Sequence, residues 1–95
     1  MTDAVTKRVH GFVSGRVQGV GFRYFTQQAA TELGLTGWVK NTWDGKVEFV
    51  AEGTQEQLEM LKRKLSRGPS SANVTNVKVD EMTASGEFRS FHVKF

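Results

Sequence analysis

Two stretches of helical periodicity, each led by a strand-like run and parted by a hairpin signal, leave this chain few folds to adopt. Residues 8–14 alternate, with Val9, Gly11 and Val13 on one face and His10, Phe12 and Ser14 on the other, as a strand with one buried face does. Phe22, Phe25, Ala29 and Leu33 then recur at helical spacing, and Gly34 supplies a stop, so a helix is expected over residues 22–33. Residues 36–42 return to a strand pattern around Trp38 and Val39. Asp44-Gly45 is a hairpin turn leading into a strand over residues 47–51. Thr54-Gln55-Glu56-Gln57 forms a capping box for a second helix with Leu58, Leu61 and Leu65 as its buried stripe. Lys62, Arg63, Lys64 and Arg67 complement the dipole in its last turns, and Gly68-Pro69 ends it. A fourth strand is expected over residues 74–82, and after the Ala84-Ser85-Gly86 turn Phe91, Val93 and Phe95 alternate as a short fifth.

The order β-α-β-β-α-β plus a short β is that of the α+β split β-α-β, or ferredoxin-like, two-layer sandwich. Its sheet is mostly antiparallel, with both helices on one face. Right-handed crossovers leave a gap between the first and second strands, which the third fills. At 38% hydrophobic and 24% charged residues, the 95-residue chain reads as one globular domain over residues 1–95. There is no cysteine, so disulfides, thiolate metal sites and cysteine nucleophiles are excluded. No apolar run approaches the ~18 residues of a membrane span, and the first residues lack a leader's apolar stretch, so a cytoplasmic protein is expected.

Between the first strand and the first helix, Gly15, Gly19 and Gly21 fall within seven positions, and Arg23 follows in the first helical turn. Glycines let a backbone approach a ligand closely, and a helix start offers free N–H groups at the positive end of its dipole. The two helices begin differently. Thr54 caps the second with a side chain, whereas Val20-Gly21-Phe22 offers the first no side-chain oxygen. The amides of Gln18, Gly19, Val20, Gly21, Phe22 and Arg23 are therefore expected to converge on an anion. No Asp or Glu falls between Ala4 and Thr31, while Lys7, Arg8, Arg16 and Arg23 do, so the loop lies in a positive field. The nucleotide P-loop fails because Phe22-Arg23 stands where Lys-Ser or Lys-Thr belongs. The dinucleotide pattern fails at Tyr24, leaving a loop sized for one phosphoryl group. The planar fork of Arg23 suits two phosphate oxygens. Asn41 ends the second strand, which runs parallel to the first about 10 Å away at the same sheet edge. There it either caps the following turn or holds a water beside the phosphate.

Val13-x-Gly15-x-Val17-Gln18-Gly19-Val20-x-Phe22-Arg23 resembles the first signature of the acylphosphatases at every defined position. The run from Gly37-Trp38-Val39-Lys40-Asn41 through Asp44-Gly45-Lys46-Val47 to Gly53 resembles their second, and the Gly86-Glu87-Phe88…Phe91 ending is similar too. The resemblance implies hydrolysis of the carboxyl–phosphate bond of acyl phosphates. It implies Arg23 and the amides of Gln18 through Arg23 as the phosphate site, Asn41 as the residue orienting water, and no metal or organic cofactor. Many members end in tyrosine where this chain has Phe95, a change expected to touch edge packing rather than chemistry.

Neither motif core holds a His, Asp or Glu except the turn residue Asp44, so no general base is evident and a phosphoryl oxygen of the substrate is expected to take the water's proton. His10 and His92 are expected to pack or face solvent. Trp38 and Trp43 are expected to pack the sheet and turn, with Trp43 able to border the substrate mouth. The alternative is a nucleic-acid-binding module of the same topology, with Phe12 and Trp38 on the open sheet face. Glu48 and Glu52 on that face argue against it. A third reading, an acylphosphatase-like domain processing carbamoyl phosphate within a larger protein, suits a small chain less well. The expected partners are a small-molecule acyl phosphate and the inorganic phosphate product, without nucleic acid or membrane, and the chain is expected to be a monomer.

Overall fold

The structure, a computed structural model, describes residues 6–95, so the first residues read above for a leader lie outside the described ones. The elements follow as β1 (Thr6–Arg16), α1 (Phe22–Glu32), β2 (Thr36–Asn41), β3 (Val47–Thr54), α2 (Gln55–Arg67), β4 (Asn73–Thr83) and β5 (Phe91–Val93). They form one sheet in the order β4-β1-β3-β2-β5. β1 pairs antiparallel with β3 and β4, and β3 antiparallel with β2, so β1 and β2 run parallel on either side of β3. β5 adds parallel to β2. This is the expected ferredoxin-like α+β sandwich.

The core lies between the helices and one sheet face. Val9 and Val13 of β1, Val39 of β2, and Val47, Phe49 and Ala51 of β3 meet Phe22, Ala29 and Ala30 of α1 and Leu58, Leu61 and Leu65 of α2. Each fully buried leucine or phenylalanine contributes roughly 1.5–3 kcal/mol relative to exposure. The opposite face carries Arg8, His10 and Phe12 against Glu48 and Glu52 of β3. There Glu52, only 4% exposed, accepts from Arg8 Nε at 2.7 Å and from the backbone N–H groups of Ser85 at 2.8 Å and Gly86 at 3.0 Å.

Element kinds agree with the sequence reading, while boundaries shift. β1 extends to Arg16 because β4 keeps pairing through a bulge at Ser14/Gly15, out to Arg16↔Asn73. β3 runs on to Thr54, opposite Thr6. β5 stops at Val93, leaving Phe95 outside the strand.

Candidate active site

The bulge near the end of β1 turns on Gly15, whose φ is +118° and where a Cβ would sit 2.2 Å from Asn73 O. Val17 is buried and anchors the chain beyond the bulge. The turn over residues 18–21 then carries Gly19 and Gly21 at φ +74° and +79°, each with open space where a side chain would be. Gly21 is the N-cap of α1, with no side-chain hydrogen bond to the helix and no acidic residue in the first turn. The first intrahelical bond runs from Phe25 N–H to Gly21 O at 3.0 Å, so the amides before it have no intrahelical partner. Buried Phe22 holds this start in place, and Thr26 Oγ1 donates to its carbonyl at 2.9 Å.

Arg23 projects from that first turn, and its guanidinium carbon lies 4.8 Å from the centre of the Phe95 ring. Among the described residues it forms no ion pair. Here the expectation for Phe95 is corrected. The residue is 90% exposed, and its ring faces the arginine instead of packing a sheet edge, because β5 ends two residues earlier.

Asn41 closes β2 opposite Val47. Its Oδ1 is buried without a hydrogen-bond partner among the described residues. The turn that follows is closed by others. Thr42 N–H donates to Lys46 O at 2.9 Å, Lys46 N–H donates to Thr42 Oγ1 at 3.0 Å, and the Thr42 hydroxyl donates to Asp44. The structure thus removes the turn-capping role that the sequence left open for Asn41 Oδ1. Asp44 is held below the ordinary carboxylate range, first by the Thr42 hydroxyl and further by Lys46. Trp43 is 99% exposed and packs neither sheet nor turn, since its side chain stands at the tip of a tight hairpin. Trp38 stays half-buried on the open face beneath Lys94, whose Nζ is 4.4 Å from its ring.

Loop and hairpin are joined by a contact that the sequence reading missed. Gln18 entered it only through its backbone amide, yet its side-chain Nε2 donates to Thr42 O at 2.7 Å and Lys46 O at 2.9 Å. No local pattern marks a bond between segments so far apart. The only sequence signal is that a glutamine stands at this place in the first signature. His10 is also less isolated than its sequence neighbourhood suggests, with Nε2 2.6 Å from Glu48 Oε2 on the open face. Glycine loop, Arg23 and Asn41 are therefore brought to one end of the sheet, while both histidines stay apart from it.

The acylphosphatase family model matches residues 9–93. An acylphosphatase of Methylococcus capsulatus is 53% identical over 87 residues, covering 92% of this chain and 95% of that protein. The structure of an acylphosphatase from Coxiella burnetii superimposes with a TM-score of 0.91 at 41% identity, covering 99% of this chain and 100% of that one. The acylphosphatase of Bacillus subtilis does so with a TM-score of 0.90 at 38% identity, over 94% of this chain and 99% of that one. Similarity that runs from within β1 to the end of β5, in relatives of matching length, establishes that the chain belongs to the acylphosphatase family.

Proposed function

We propose that the amides of Gln18, Gly19, Val20, Gly21, Phe22 and Arg23, together with the Arg23 guanidinium, hold the phosphoryl group, and that Asn41 orients the water that attacks it. As an acylphosphatase, the chain hydrolyses the carboxyl–phosphate bond of an acyl phosphate to a carboxylate and inorganic phosphate. In the proposed site, water oxygen bonds to phosphorus as the bond from phosphorus to the acyl oxygen breaks, and the carboxylate leaves with that electron pair. The water's proton passes to a phosphoryl oxygen. Side-chain bases are poorly disposed for the task. His10 lies on the open face beside Glu48, and the lowered pKa of Asp44 makes it a weak acceptor. With a good leaving group, positioning and charge stabilisation carry the reaction.

The observation that carries this reading is the buried Oδ1 of Asn41, without a partner among the described residues, at the same end of the sheet as the uncapped start of α1. A buried amide oxygen without a partner costs stability, so its retention favours a functional role. Asn41→Ala is expected to lower kcat for acetyl phosphate about 10²-fold, while inorganic phosphate still inhibits. Arg23→Gln is expected to lose both turnover and inhibition by phosphate. Normal turnover by Asn41→Ala would refute the water assignment.

The same proposal takes residues 1–95 as a single domain acting as a cytoplasmic monomer on a small molecule. Among the described residues no helix is long and apolar enough to cross a membrane. On this proposal the chain takes no nucleic acid as a ligand.

A further inference from the structure

We infer that the Gln18 side chain is a positioning residue that clamps the anion cradle to the hairpin bearing Asn41, and so aligns the attacking water with the phosphoryl group. The inference rests on the assignment of that water to Asn41. Thr42 O and Lys46 O, the two carbonyls that Gln18 reaches, flank the Asn41–Val47 pair that closes the β2–β3 ladder. A side-chain amide nitrogen carries two N–H donors, and here each has a carbonyl. The contact is half-buried and joins segments 24 and 28 residues apart in the chain. Because the backbone N–H of the same residue lies in the proposed cradle, one residue ties the loop to the hairpin neck. The clamp also bears on Asn41 itself. With Thr42 and Asp44 closing the turn and Gln18 serving the neck carbonyls, the Asn41 Oδ1 is left to a ligand.

A residue that sets alignment acts on the turnover step more than on phosphate binding. The test compares kcat and KM for acetyl phosphate, and Ki for inorganic phosphate, across the wild type, Gln18→Ala, Gln18→Glu, Asn41→Ala and the double variant Gln18→Ala/Asn41→Ala. Gln18→Ala is expected to lower kcat by about 10- to 100-fold, with Ki within about twofold of wild type. On the Asn41→Ala background the further loss is expected to shrink to about twofold or less. Gln18→Glu distinguishes a donor from a spacer. At neutral pH its carboxylate faces two carbonyl oxygens, whereas towards its ordinary pKa of about 4.3 it gains an O–H donor. Its kcat relative to wild type at the same pH is therefore expected to rise on acidification, while the Gln18→Ala ratio stays level. Wild-type turnover by Gln18→Ala, a full loss on the Asn41→Ala background, or a Gln18→Glu ratio that follows Gln18→Ala at every pH would each overturn the clamp. Normal turnover by Asn41→Ala alone would instead overturn the water assignment beneath it.

Discussion

Gly15 and Gly21 both take left-handed φ angles, yet their surroundings separate what a side chain would cost at each. At Gly21 a methyl group meets nothing within 4 Å, so Gly21→Ala bears only the backbone penalty of roughly 1–2 kcal/mol. At Gly15 the added Cβ would overlap Asn73 O at 2.2 Å, in the last rungs of the β1–β4 ladder. Gly15→Ala is therefore expected to destabilise by several kcal/mol or to prevent folding, about 2 kcal/mol or more beyond Gly21→Ala. Urea unfolding of the two variants checks the order, and equal midpoints would contradict it. The need for glycine in this segment was legible in the sequence. Which glycine is crowded was not, because the crowding atom belongs to a strand nearly sixty residues further along.

The two helices illustrate how differently an element can be finished. α2 carries a complete capping box, with Thr54 Oγ1 accepting from Gln57 N–H at 3.1 Å and Gln57 Oε1 accepting from Thr54 N–H at 2.8 Å. Thr54→Ala is expected to cost about 1 kcal/mol of stability. Turnover of acetyl phosphate should be unaffected, since α2 starts at the far end of β3 from the hairpin; a loss of kcat without loss of stability would contradict this. α1 has no equivalent device, and its free amides are those proposed to hold the phosphoryl group. The capping box is a four-residue pattern, so the sequence displays it in full. Strand ends are less legible. β1 and β3 each run past their alternating segment because pairing partners, rather than their own side chains, decide where a ladder stops.

Across the whole molecule, Glu52 ties β3 to β1 and to the segment before β5. Burial alone would raise its pKa, but hydrogen bonds from the Ser85 and Gly86 amides and from Arg8 outweigh that and hold it below the ordinary range. Glu87 is lowered too, first by the Ser85 hydroxyl and then by Arg8. Carboxyls with depressed folded pKa values bind fewer protons folded than unfolded. Their stabilisation is full above the ordinary carboxylate pKa and is lost as pH falls through the folded values. The urea midpoint is therefore expected to drop on acidification below about pH 4.5, and Glu52→Gln should flatten that drop. A wild-type midpoint constant through this range would contradict the assignment. At any pH where Glu52 is charged, Glu52→Ala is expected to cost about 1–3 kcal/mol, since it takes the acceptor from the Ser85 and Gly86 amides while Arg8 keeps Glu87.

Element order, the chirality of the crossovers, the cap on α2, the glycine turn and the two signatures could all be read in the chain, because each is a local pattern or follows from fixed handedness. They sufficed to place Arg23, the glycine turn and Asn41 at one end of one sheet. Tertiary structure alone decided which groups meet there: Phe95 with Arg23, Gln18 with the hairpin neck, and an Asn41 oxygen left without a partner among the described residues. Hydrogen bonds and ring contacts depend on separations of a few tenths of an ångström between segments tens of residues apart. Periodicity and spacing along a chain carry no information at that precision.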